Sequence, residues 1–204
     1  MNKIITIGRQ FGSGGKDVGK MVADALNIPF YDKELVELAA KKSNFNEDAV
    51  KEIDERATHS LLYSIVTGSF GLDGLNSPLF YEMPMNDKFF IAQSDIIKEV
   101  AAKESCVIVG RCADYVLSEV ENVDVLSTFI YGSLDYRSMR VARDLNLTLP
   151  RARDYIKKTD KQRRTYYDYY TSHEWGKISN YDLCINTEKI GIESAAQMII
   201  NYCK

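Results

Sequence analysis

The sequence predicts an α/β fold in which a parallel sheet is wrapped by helices. Three observations carry this: five short apolar, β-branched runs, helical patterns between them, and a glycine-rich stretch that joins the first run to the first helix. Strands separated by helices are joined by crossovers, and crossovers make neighbouring strands parallel. A chain of 204 residues is expected to form one α/β domain, large enough to bury a core without disulfides or a structural metal.

The elements follow in order. Residues 3–8 open the chain as a strand through Ile4, Ile5 and Ile7. Helical spacing over 14–26 is set by Val18, Met21, Val22, Ala25 and Leu26, with Asn27 as a stop before Pro29. Ile28-Pro29-Phe30-Tyr31 reads as the second strand, followed by helices over 33–42 and 46–66. Residues 67–86 hold glycines, two prolines and aromatics without a sustained period. They are an irregular insertion, read as an excursion on the substrate side, a homodimer contact or a disordered segment. A helix over 87–103 leads to the strand Cys106–Val109, a helix over 111–118 to the strand Val125–Tyr131, and helices over 133–144 and 149–172 to the strand Asp182–Ile185. A helix over 191–203 closes the pattern.

Composition narrows the function. Cys106, Cys112, Cys184 and Cys203 have no C-x-x-C spacing, so buried thiols in a reducing compartment are expected rather than a zinc site or a disulfide framework. No signal region and no apolar stretch near the ~20 residues of a membrane span is visible, and a cytoplasmic protein without a membrane partner is expected. The net charge of −3 conceals an asymmetry: residues 137–164 hold ten basic and three acidic residues, +7, which leaves −10 for the rest. A basic segment on an acidic chain suits a small anion better than a nucleic acid. His59 and His173 have no partners at ligand or triad spacing.

The chemistry concentrates at strand ends. In Gly8-Arg9-Gln10-Phe11-Gly12-Ser13-Gly14-Gly15-Lys16-Asp17, the four glycines from 8 to 15 and Ser13 let backbone N–H groups converge where the next helix presents its positive end, which makes an anion cradle. The P-loop pattern G-x-x-x-x-G-K-[ST] is matched in part. Counting back from Lys16 leaves Gln10 at the first glycine and Asp17 at the hydroxyl position, whereas sliding the frame by one restores Gly12-Ser13-Gly14 but puts Gly15 where lysine belongs. Gly12, Ser13, Gly14, Gly15, Lys16 and Asp17 are therefore the candidate phosphate-binding residues. At the end of the third strand, Gly110-Arg111 makes Arg111 a candidate phosphate clamp beside Asp114, on the sheet edge where such folds bind ligands. Asp32 is expected to cap the next helix and, with that, to accept a hydrogen bond from a ligand.

The polar helix carrying Asp160-Lys161-Gln162-Arg163-Arg164, followed by Tyr166, Tyr167, Tyr169, Tyr170 and Trp175, reads as a lid arm over about 146–176. Arg163 and Arg164 are its candidate catalytic cations, since a closing arginine accelerates phosphoryl transfer by ~10³–10⁵. Lys157, Lys158 and Lys161 suit a solvated face, and the tyrosines are expected to dock the arm on the core.

In these pieces the chain resembles the cytidylate kinase-like branch of the nucleoside monophosphate kinases, within the P-loop kinases. The resemblance rests on Gly12-Ser13-Gly14-Gly15-Lys16, Pro29-Phe30-Tyr31-Asp32, Val109-Gly110-Arg111, Asp160-Lys161-Gln162-Arg163 and Tyr181-Asp182-Leu183-Cys184-Ile185-Asn186. It implies a five-stranded parallel sheet with a helical lid, donor phosphates of Mg²⁺·ATP on the glycine loop with Lys16, an acceptor monophosphate such as CMP at Arg111, and closure by Arg163 and Arg164. It departs from the family at Gly15-Lys16-Asp17, where those kinases keep an intact lysine and hydroxyl, and at Asp32-Lys33-Glu34-Leu35, where they carry residues that read the nucleotide. A degenerate phosphate-binding sensor of the same fold is the alternative these departures favour.

Overall fold

Strand β1 (Asn2–Arg9) is buried on both faces, with Ile4, Ile5 and Ile7 fully hidden from solvent, and it is the central strand of the sheet. The computed structural model describes residues 1–42 and 84–203. Five strands run in the order β2-β3-β1-β4-β5, with every neighbouring pair parallel. The strands β2 (Phe30–Tyr31), β3 (Cys106–Val109), β4 (Val123–Tyr131) and β5 (Leu183–Asn186) all lie within or close to their predicted runs. β2 is shorter than expected: Pro29 has no N–H to give a ladder, and only its carbonyl is used, accepting from Val107.

Alternation along the strands sorts side chains into two layers. Ile4, Cys106 and Ile108 face α2 (Glu34–Lys42), α3 (Met85–Lys103), α4 (Ala113–Val116) and the last turns of α6 (Leu149–Thr171). Ile5, Ile7, Val107, Val109, Leu126, Ile130 and Ile185 face α1 (Gly15–Leu26) and α8 (Ile192–Cys203). Each fully buried aliphatic side chain contributes about 1.5–3 kcal/mol of transfer free energy. A third cluster, Val141, Ala152 and Ile156 with Phe11 against it, joins α5 (Leu134–Asp144) to α6 beside the glycine loop. The predicted docking tyrosines pack into the first of these layers: Tyr166, Tyr167 and Tyr170 are buried in the cluster of Ile4, Cys106 and Ile108, with Tyr170 stacked on Phe90 at 4.2 Å.

Three predicted boundaries change. The helix expected over 111–118 is a single turn, α4, because Gly110, Arg111 and Cys112 all take left-handed φ angles of 74°, 63° and 54°. The helix expected over 191–203 is preceded by the short α7 (Thr187–Ile190), and Gly191 at φ 84° separates the two. α3 starts at Met85, inside the stretch expected to be irregular. The predicted helix over 46–66 and most of the 67–86 insertion lie outside the described residues. Among the described residues, no helix is long and apolar enough to cross a membrane, and none of the four cysteines is in a disulfide.

Candidate active site

β1 has β3 on one side and β4 on the other, so the chain leaves its carboxyl end in a crevice between diverging connections, the position where open α/β sheets bind ligands. The glycine loop fills this crevice. Gly12 and Gly14 hold φ angles of 79° and 85°, which a side chain adopts only at a cost, and Gly14 is the residue immediately before α1. The helix therefore starts at Gly15, and its free N–H groups and positive end point into the cleft.

Side chains clamp the loop from outside. Asp160, on α6, accepts from the Phe11 N–H at 2.7 Å and from Arg137 at 2.6 Å, while Arg137 also donates to the Phe11 and Gly132 carbonyls at 3.0 Å each. Arg140 donates to the Gly12 carbonyl and pairs with Asp17 at 3.0 Å. Thr187 donates to the Ser13 carbonyl at 2.7 Å. Ser13 itself is fully buried, with its hydroxyl within bonding distance of the Gln10 and Ile130 carbonyls and its N–H donating to Gln10. Its polar groups thus hold the turn.

A cleft of about 660 Å³ opens over the loop. Its basic side chains are Arg9, Lys16, Lys33, Arg111, Arg140 and Arg163, against Asp17, Asp32 and Asp144. Buried Asp32 pairs with Lys16 at 2.8 Å. Burial alone would raise the Asp32 pKa, but the Lys16 hydrogen bond and the charges of Arg9, Lys16 and Arg111 outweigh it and hold the carboxyl below its ordinary value. Asp32 does not cap α2 as expected. The carbonyl of Lys33 takes the first helical bonds, and the Asp32 N–H donates to Glu34, which leaves the carboxylate for the cations.

Arg111 is carried into this cluster by the left-handed turn at the end of β3. Burial draws its pKa down, Tyr166 and Asp32 oppose that, and Arg163 reinforces it, yet an arginine keeps its charge throughout. Arg163 donates to the Arg9 carbonyl at 3.3 Å and lies over the Phe11 ring at 5.4 Å. Two predicted site residues stand apart. Arg164 sits over Trp175 at 5.9 Å. Asp114 accepts from Tyr167 at 2.6 Å in a small inner cavity of about 40 Å³ walled by Tyr166, Tyr167, Trp175 and Tyr181, and burial raises its pKa despite that bond. Arg9 and Arg111 line both cavities.

Sequence reasoning missed Arg137, Arg140 and Asp160 as supports of the loop. Their place in the basic segment was visible, but only the packing of α5 and α6 onto the loop selects them. Among the described residues no group of three or more metal-binding side chains occurs. The cleft carboxylates Asp17 and Asp32 nevertheless fit a Mg²⁺ that arrives on phosphates, since that ion is bound through one or two carboxylates and substrate oxygens rather than a protein cage.

The model of the cytidylate kinase-like family matches residues 4–189. No curated protein matches the chain. Among solved structures, an uncharacterized protein from Eubacterium ventriosum ATCC 27560 is 32% identical with a TM-score of 0.71, over 98% of each chain. Shikimate kinase from Bacteroides thetaiotaomicron is 17% identical with a TM-score of 0.52, over 99% of this chain and 98% of that one. TT1252 from Thermus thermophilus is 14% identical with a TM-score of 0.54, over 100% and 98%. The last two likenesses are of fold alone.

Proposed function

Since the chain belongs to the cytidylate kinase-like family, we propose that it transfers the γ-phosphoryl group of ATP or another nucleoside triphosphate to a nucleoside monophosphate such as CMP, or to a similar small anionic acceptor. A phosphotransferase of the P-loop kinase kind is the coarse form of this reading, supported by family and fold. The finer form rests on one observation above the rest: Lys16, Arg111 and Arg163 converge on a single cleft over the glycine loop.

Phosphoryl transfer spreads charge over the equatorial oxygens of the moving group, so catalysis is mainly positioning and charge stabilisation. In this reading the loop from Gly12 to Gly15 and the start of α1 hold the donor phosphates through backbone N–H groups. Lys16 and Asp17 stand at the cleft rim, where the ion of Mg²⁺·ATP, bound by Asp17 or Asp32 together with the phosphates, neutralises oxygen charge. Arg111 and Asp32 meet the acceptor, with Asp114 behind them, and Arg163 closes from α6 while Arg164 holds Trp175 within the arm. A phosphate oxygen of the acceptor needs no strong base at neutral pH, which agrees with a site rich in cations.

A second reading, a sensor with little turnover, is favoured by Gln10 and Asp17, the departures from the motif counted back from Lys16, and by the pairing of Asp17 with Arg140. The two separate in one experiment: ADP release from Mg²⁺·ATP against a panel of nucleoside monophosphates, with CMP, dCMP and shikimate included. Turnover that depends on a nucleotide acceptor supports the kinase. Nucleotide binding by calorimetry without turnover on any acceptor supports the sensor, and turnover on shikimate alone moves the acceptor outside the nucleotides.

A further inference from the structure

The P-loop lysine sits directly after the last loop glycine, in the first turn of the helix. Here that glycine is Gly14 and the first helical residue is Gly15, so the chain has no side chain where the lysine belongs. Gly15 is absent from the positive-φ residues, and glycine in a helix is worse than alanine by about 1 kcal/mol. Backbone conformation therefore does not account for it. Space does: a Cβ on Gly15 would lie 2.5 Å from the Arg9 Cβ and 3.1 Å from its Cγ.

Arg9 continues the face of β1 that carries Ile5 and Ile7, the face covered by α1. Its stem crosses Gly15, and its guanidinium ends over Gly110, where a Cβ would meet Nη1 and lie 2.9 Å from Cζ. Gly15 thus lets α1 lie directly on β1 at residue 9, and Gly110 leaves room for the guanidinium. The charge of Arg9 reaches buried Asp32, and its side chain lines the cleft over the loop. Lys16 is one residue further along α1, more than half exposed at the rim and paired with Asp32.

We infer that Arg9, reaching from the end of β1 across Gly15 to Gly110, is the phosphate-binding cation of this loop in place of the P-loop lysine. The cation comes from the strand instead of the helix, and the first helical residue is glycine so that α1 can lie against residue 9. This rests on the kinase reading insofar as the anion is the triphosphate of the donor. A guanidinium presents a fork to two phosphate oxygens, where lysine presents a point charge.

The test is calorimetric binding of Mg²⁺·ATP and of inorganic tripolyphosphate to the full chain, with thermal melts to show that each variant folds. Arg9→Met is expected to weaken both ligands about 10- to 100-fold, the range for losing a charge-assisted pair. Gly15→Ala would put a Cβ 2.5 Å from the Arg9 Cβ and 3.3 Å from the Ile130 Cβ, so it is expected to weaken both ligands and to lower the melting temperature. The double variant Arg9→Gly with Gly15→Lys, which restores the first glycine and the lysine of the motif and leaves Lys16 at its hydroxyl position, is expected to recover affinity to within about tenfold of the parent. Parent-like binding in Arg9→Met or Gly15→Ala, or no recovery in the double variant, overturns the inference while leaving the kinase reading intact. A parent protein that binds tripolyphosphate but not ATP removes the donor reading and leaves the role of Arg9 to be decided by the same variants; one that binds neither overturns both.

Discussion

Two turns at the carboxyl edge of the sheet meet the same cleft in opposite ways. After β1 the left-handed positions are glycines, Gly12 and Gly14; after β3 they include Arg111 and Cys112, which bear side chains. A left-handed residue with a Cβ costs roughly 1–2 kcal/mol. In the first turn a Cβ would meet the Val141 side chain at Gly12 and the Ile192 side chain at Gly14, and in the proposed function the bare backbone faces the donor phosphates. The second brings a guanidinium to Asp32, with a left-handed φ retained at Arg111, and the proposed function gives that strain a purpose.

The strongest way to break this comparison is Arg111→Gly. It relieves the left-handed strain, so the melting temperature is expected to stay within a few degrees of the parent. Acceptor-dependent turnover is expected to fall about 10²–10³-fold, as when one preorganised donor is removed. A large loss of stability with parent-like kcat/KM would make the arginine structural. In the first turn the expected effects are reversed. Gly14→Ala places a Cβ 2.6 Å from the Ile192 Cδ1 at a φ of 85°, and should destabilise by about 1–3 kcal/mol in urea unfolding.

Asp32 connects the turns through Lys16 on one side and Arg111 on the other. Its folded pKa is depressed, so its contribution to stability is present above the ordinary carboxylate value of about 3.9 and is lost as pH falls through the lower folded value. Asp32→Asn should therefore be less stable than the parent by about 1 kcal/mol near neutral pH, since Lys16 is largely exposed. The two proteins should converge in urea unfolding as pH drops below that range. The smallest effect lies beside both turns at Tyr31. Burial, with help from its bond to Glu104, pushes its phenol up to about 12. The sign is opposite to that of Asp32: stability is full below the unfolded pKa of 10.0 and is lost as pH rises toward 12. Tyr31→Phe should delete one late-titrating phenol from the ultraviolet titration.

Much of this was legible in residue order. The β-branched runs at 3–8 and 106–109, the glycine loop, and the placement of Arg111 at a strand end all depend on local pattern, and they were found near their predicted positions. Strands 28–31 and 182–185 were blurred at their ends because a ladder depends on the neighbour as well as on the segment. The turn at 110–112 looked helical because nothing in Arg111-Cys112 signals a left-handed conformation; only its packing enforces one. Arg164 and Arg163 are adjacent in sequence and equally basic, yet one faces Trp175 and the other the loop. A helix turns about 100° per residue, and which side meets the cleft is fixed by the docking of Tyr166, Tyr167 and Tyr170.

The order of residues was enough to establish alternating strands and helices, a glycine loop after the first strand, and a basic arm, because periodicity and glycine chemistry act over a few neighbours. It left two frames open for the loop. Tertiary structure decided between them: α1 begins at Gly15, and the space beside it is filled by Arg9, whose guanidinium lies over Gly110. Residues 9, 15 and 110 share no local pattern. Their relation is one of excluded volume at the edge of a sheet, and only the packed chain brings them together.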